Sequence, residues 1–419
     1  MDLNNHPCFN PDARHKTGRI HLPVAAKCNV QCNFCNRKYD CVNESRPGVS
    51  TAVLKPEQAE KYLGTILKQV PNIAVVGIAG PGDPFANAPE TMETLERIHA
   101  AYPDKLLCLS SNGLYLSEYI PRLAELNVSH VTITVNAVDP KIGAEIYEWV
   151  YYEKKQYTGV EGAKILLERQ TESIKLLKQY GITVKINTVV IPRVNEFHIY
   201  EISEYVAKLG ADVQNCIPLI PVDGTPFAVL EEPNPSSMRS VRAKASVHIK
   251  QMSHCARCRA DAVGLLGQQN SEQTSYALQY AKIQPTFALK PYVAVASSDG
   301  VSINKHLGEV DSLWIYGKKN GKTELIEKRP IINKEGEGWK AMADTIHDCE
   351  ALLVLGVGRI PFDFLKKKGV YVEAVDGLVS EAVNALFEGK PIPASLLKIA
   401  GKCDVGGSCG GNPSGGGCQ

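Results

Sequence analysis

Residues 28–35 read CNVQCNFC, and a fourth cysteine, Cys41, follows in NRKYDC. Cys28, Cys32 and Cys35 stand at C-x3-C-x2-C spacing. Thiolates that close in sequence converge on one metal centre. Three ligands from a tight loop suit one face of a [4Fe–4S] cluster, leaving the fourth iron without a protein ligand. An open iron takes an exogenous molecule. Zinc is the other chemistry that clustered cysteines allow. The run just before the loop, RIHLPVA (19–25), is apolar enough for a strand, so the thiols belong at a strand's C-terminal end.

Outward from that strand, the pattern repeats. Further strand candidates are IAVVGIA (73–79), LLCLSS (106–111), HVTITV (130–135), ITVKINTVVI (182–191) and VQNCIPLI (213–220). They are continuous rather than alternating apolar runs, as in a parallel sheet covered on both faces. Amphipathic segments lie between them at 55–70, 91–102 and 161–180, the last ending at Gly181, a C-cap residue. Strand–helix repeats of this length are βαβ units. The expected class is α/β, with about six parallel strands curled into an open or closed barrel. The cysteine loop would then sit at the barrel's C-terminal mouth, where barrel active sites lie. NPSS (234–237) reads as a helix N-cap. Residues 1–267 are taken as the barrel with ligand-bearing extensions, 268–289 as a polar linker, and 290–400 as a second α/β domain with strands near 292–297, 312–317, 351–356 and 369–375. The Gly- and Cys-rich stretch 401–419 cannot bury a core and reads as a mobile tail.

The composition of the 419 residues is that of a soluble globular chain, 44% hydrophobic and 22% charged. No apolar run approaches the roughly 20 residues of a membrane helix. A net charge of +1 makes no electrostatic case for nucleic acid or an anionic membrane. The 13 cysteines are odd in number, and MDLNNHPCFN lacks the pattern of a signal peptide. Metal-binding or catalytic thiols in a reducing cytoplasm are therefore expected, not disulfides.

The motif C-x3-C-x-F-C after a first strand resembles that of the radical S-adenosyl-L-methionine (SAM) superfamily, over about residues 19–220. The resemblance implies a partial TIM-type βα barrel. It also implies a cluster on Cys28, Cys32 and Cys35 whose open iron chelates SAM, and reductive cleavage of SAM to methionine and a 5′-deoxyadenosyl radical. GIAGPGDP (77–84) resembles the superfamily's Gly-rich stretch that contacts the SAM amino group, here with Gly80, Gly82 and Asp83. PGDP is also a good turn. Asn112 in SSNG and Asn136 in TVNA close the third and fourth strands within reach of SAM, and both are equally turn residues.

Other thiols remain. Cys255 and Cys258 form HCARC, two ligands on one turn that a third from elsewhere would complete. Cys8 lies in HPCF, His21 in the first strand and Cys108 in the third. A lone buried cysteine is also simply a small hydrophobe. Taken together, HPCF, CNVQCNFCNRKYDCVNESRPGV, AGPGDP, LSSNG, NVSHVTITVNAVDP and CARCRADAVGLLG resemble the NifB family of nitrogenase cofactor biosynthesis enzymes. The resemblance implies three [4Fe–4S] centres. One is the SAM-cleaving cluster. Two are substrates, on Cys8, His21 and Cys108, and on Cys41, Cys255 and Cys258. It also implies that the substrate clusters are fused, with a SAM methyl carbon inserted as carbide and one further sulfide added, into an [8Fe–9S–C] precursor. Glu44 and Arg46, beside the loop, are candidates for proton handling or anion fixing, or form a surface ion pair.

Residues 290–400 resemble NifX-like cofactor-binding domains through VAVASSDG, INKHLGEVDSLWIY and LLVLGVG. That implies a ribonuclease-H-like fold and a cofactor-associated His306. Cys403, Cys409 and Cys418 would bind iron in transit or be incidental, and Cys216 and Cys349 read as core thiols. The partners implied are cluster donors, a low-potential electron donor and downstream cofactor carriers. Two rivals stand beside this reading. One is a radical SAM enzyme that uses auxiliary clusters on a peptide or small organic substrate. The other is a scaffold that only carries clusters, which would have no use for a SAM-binding iron.

Overall fold

The computed structural model describes residues 6–43, 48–50, 52–268, 270–283, 285, 287, 290–331, 338–389, 392, 393 and 395–397. Glu44, Arg46, Cys403, Cys409 and Cys418 lie outside the described residues. The chain divides into two compact units, Met1–Lys282 and Ile283–Gln419.

In the first unit, six parallel strands run in the order Gly18–His21, Ile73–Ile78, Leu106–Ser111, Val128–Thr134, Thr183–Val190 and Val213–Pro218. A short antiparallel strand, Val263–Gly264, pairs with the first and closes that edge. The apolar runs form strands because one face of the sheet buries against helices. Ile20, Val76, Leu107, Val131 and Val184 share a core with Tyr62, Leu63 and Ile66 of helix Pro56–Gln69, Leu95 and Ile98 of Ala88–Ala101, and Ile174 and Leu177 of Gly159–Gln179. Each such side chain contributes about 1.5–3 kcal/mol. The inner face carries the polar and sulfur-bearing side chains. His21, Gly77, Cys108 and His130 are register partners on four successive strands, so their side chains leave the same face in one row.

The first strand is shorter than RIHLPVA suggests. After His21 the chain peels away, and Ala25 meets Pro81 in an isolated bridge. Gly181 adopts φ +71° beyond the helix Gly159–Gln179, and Asn234 caps Pro235–Ala245 by accepting from Ser237 N–H at 2.9 Å. The stretch read as a linker is not featureless. Glu272–Ile283 is a helix whose Ala277, Leu278 and Ala281 join the barrel core; their spacing is helical but too sparse to stand out among polar neighbours. A further element not apparent from the sequence is a small sheet of Val30–Cys32, Tyr147–Tyr152 and Lys155–Tyr157, which holds the cysteine loop.

The second unit has a five-stranded sheet. In chain order its strands are Tyr292–Val295, Ser312–Lys319, Lys322–Pro330, Cys349–Val354 and Tyr371–Ala374, and they lie side by side as 3-2-1-4-5, with the second antiparallel to its neighbours. This is the ribonuclease-H-like arrangement. Lys322–Pro330 was not legible because most of its residues are exposed. Cys216 and Cys349 are fully buried in the two cores. Among the described residues no helix is long and apolar enough to cross a membrane.

Candidate functional site

The loop after the first strand is pinned before it carries chemistry. Val30–Cys32 pairs with Tyr147–Tyr152, and Asn33 N–H donates to Ile146 O at 2.8 Å. Cys28, Cys32 and Cys35 then line one cavity with Arg37, Cys41, Asn43, Asp83 and Asn112. Burial pushes the Cys28 thiol up to about 11, with the Asp83 carboxylate adding to it, and raises Cys32 and Cys35 as well. Without a cation these thiols keep their protons; only a bound metal centre would make them thiolates. Arg37 supplies the nearby positive charge felt by all three. It lies two residues past Cys35 yet was missed, because its value depends on where its guanidinium turns. Asn112 Nδ2 donates toward Cys28 Sγ at 3.8 Å and to Asn29 Oδ1 at 2.7 Å.

The Gly-rich stretch behaves differently from a pure ligand cradle. Gly82 N–H donates to Ala25 O at 2.5 Å, and a Cβ at Gly82 would overlap the Lys27 carbonyl. Its lack of a side chain therefore lets the strand end pass against the residues leading into Cys28. Gly80 sits at φ +118°, which a side chain rarely adopts. The Asp83 carboxylate is occupied by Asn112 N–H at 2.6 Å, Ser111 Oγ at 2.9 Å and Phe85 N–H at 2.9 Å. It stitches two strand ends together at the cavity wall. Asn136 is fully buried with its amide used at both ends, by Val189 N–H at 2.9 Å and Asn43 Oδ1 at 3.1 Å.

A second cavity adjoins the first and shares Ser110 with it. Cys8, His21, Cys108, Cys255 and Cys258 line it, together with His6 and Lys185. The N-terminal segment reaches it because His254 Nε2 donates to Pro7 O at 3.1 Å, and because His6 and Phe9 lie against His130 with ring centroids 4.4 and 4.3 Å away. Burial lifts Cys8 to about 11 and Cys108 to about 12.

His21 suits a metal. Its Nδ1 lies 3.0 Å from Arg259 O. A carbonyl only accepts, so Nδ1 carries the proton and Nε2 keeps the lone pair. Burial, aided by the charge of Arg19, lowers the imidazole to about 4, so it is neutral at neutral pH. Gly77, between His21 and Cys108, leaves room: a Cβ there would meet Cys108 Sγ at 2.9 Å and His21 Cδ2 at 3.1 Å. Neutral imidazole, thiols and a vacated Cβ position fit a soft metal cluster.

Cys41 opens on the first cavity, whereas Cys255 and Cys258 open on the second. Arg257, at φ +48°, joins the two loops. It donates to Pro218 O at 3.0 Å and to Val42 O at 3.3 Å. Arg19 donates to Cys258 Sγ at 3.0 Å. Among the described residues no three His, Cys, Asp or Glu side chains converge on a single ion. A four-iron cluster takes each cysteine on a different iron, so its ligands stand apart. Arg257→Ala should therefore hasten iron loss to a chelator by about 10–100-fold from the centre that uses Cys255 and Cys258, with SAM cleavage unchanged. Equal release rates for variant and unsubstituted protein would remove Arg257 from that role.

A model of the radical SAM superfamily matches residues 22–206, and one described as dinitrogenase iron-molybdenum cofactor matches 290–389. The FeMo cofactor biosynthesis protein NifB of Chlorobaculum tepidum is 47% identical over 421 residues, covering 99% of this chain and 99% of that protein. The chain belongs to the NifB family. NifB proteins of Herbaspirillum seropedicae and Klebsiella pneumoniae are 38% and 37% identical. Each alignment covers 91% of this chain, and 81% and 90% of the respective relative. The chain is thus a radical SAM enzyme of FeMo cofactor biosynthesis, and its superfamily chemistry uses SAM and a [4Fe–4S] cluster.

Proposed function

We propose that the chain fuses two [4Fe–4S] substrate clusters and one further inorganic sulfide into an [8Fe–9S–C] product, with the central carbon taken from the SAM methyl group. The carrying observation is the pair of adjoining cavities that share Ser110 and are lined by eight cysteines and His21. Cys28, Cys32 and Cys35 would hold the resident cluster. When bound, that cluster supplies the electron that splits SAM. Arg37 offsets the negative charge there, and Asn112 orients Cys28.

Cys8, His21 and Cys108 would hold one substrate cluster; Cys41, Cys255 and Cys258 would hold the other. Three ligands per cluster leave edges open for fusion, and an imidazole is a softer commitment than a thiolate. One SAM gives its methyl to a substrate sulfide, and a second provides the radical that takes hydrogen from that methyl. The buried walls bring the reactants together and keep water away. In the second unit, His306 is the candidate cofactor contact: Nδ1 accepts from Gly308 N–H at 3.3 Å, and Nε2 is buried without a hydrogen-bond partner. A fused carrier raises the local concentration of an acceptor for a labile product. Separate cluster donors, an electron donor and downstream carriers complete the set of partners.

The test is anaerobic loading with iron and sulfide, then SAM and reductant. About twelve irons per chain are expected, together with both S-adenosylhomocysteine and 5′-deoxyadenosine. About four irons, or conversion of an organic substrate with the iron untouched, would refute the proposal.

A further inference from the structure

Asn43 lies two residues past Cys41 and is buried. Its amide nitrogen stands 3.7 Å from Cys32 Sγ and 3.7 Å from Cys41 Sγ. The orientation of the amide is fixed from the other end. Asn136 Nδ2 donates to Asn43 Oδ1 at 3.1 Å, and Asn136 is itself locked to Val189 N–H. The Asn43 main-chain carbonyl accepts from Asn187 Nδ2 at 3.0 Å. An amide nitrogen carries two hydrogens, and here two sulfurs face it.

We propose that Asn43 is a positioning residue shared by two iron–sulfur centres, giving one amide hydrogen to Cys32 and the other to Cys41. This rests on the ligand sets proposed above, which put Cys32 on the resident cluster and Cys41 on a substrate cluster. Once ligated, both sulfurs are thiolates and stronger acceptors than thiols, so both contacts tighten. Hydrogen bonds to cluster sulfurs disperse negative charge and raise the reduction potential. Rotating the amide toward one sulfur withdraws it from the other. The resident cluster and its substrate neighbour are therefore held at a set separation and tuned by one group.

The test is a redox titration of loaded Asn43→Leu and Asn43→Ala chains, followed by electron paramagnetic resonance. The Cys255→Ala/Cys258→Ala background isolates the resident signal. Both substitutions keep the main-chain acceptor, and the melting temperature of the metal-free chain checks the fold. At a fixed potential the reduced-to-oxidised ratio of each centre should fall by roughly 3–10-fold, a tenfold change being about 59 mV for one electron. Loss of both centres from a chain with unchanged melting temperature would also support the role. Unaltered potentials at full iron content would overturn it, and a shift confined to one centre would overturn the sharing. Unsubstituted protein with only about four irons per chain is a separate outcome. It would overturn the ligand sets and leave Asn43 with one centre.

Discussion

Replacing Cys255 and Cys258 together by Ala is expected to leave 5′-deoxyadenosine formation intact while fused product falls by at least about 100-fold. The two thiols lie on the second cavity, and Cys28, Cys32 and Cys35, the proposed ligands of the SAM-cleaving cluster, lie on the first. On the proposed ligand set, only Cys41 would remain for that substrate cluster. Iron should drop by about four per chain, because one centre is lost and two remain. Chromatography of the nucleoside products, iron analysis and the product's magnetic spectrum read the three quantities separately. Normal fusion in this variant would exclude the assigned ligand set.

A single methyl at Gly77 should be nearly as damaging. Gly77 is the register partner of both His21 and Cys108, and an added Cβ falls 2.9 Å from the cysteine sulfur. In Gly77→Ala one of those side chains must move off the row. The strain costs about 1–3 kcal/mol, a modest loss of melting temperature. The larger effect falls on the first substrate centre, which loses about four irons and with them the fused product, while SAM cleavage persists. A Gly77→Ala chain with full iron and normal product would show that His21 and Cys108 do not share a ligand.

The barrel was legible in the sequence because the strands are rich in the apolar residues of their helix-packed face and are followed by amphipathic segments. The cysteine loop was legible because its thiols are close in sequence. What could not be read was whatever depends on strand register. Gly77 looks like any glycine in a Gly-rich run until its partners are known. Arg257 and Asn43 act through bonds to distant segments, to Pro218 and Asn136 for instance, which no spacing rule reveals. Asp83 was singled out as a SAM-contacting residue, whereas in the structure its oxygens are taken by neighbouring main-chain and hydroxyl donors. The hairpin of Tyr147–Tyr152 and Lys155–Tyr157 interrupts a helical region and carries exposed tyrosine, which masks its pattern.

Cys8 belongs to no strand of the sheet. The leader that bears it is tethered by His254 and by ring contacts, so the sheet can form without it. The wall that Cys8 contributes is therefore held by side-chain contacts rather than by strand pairing.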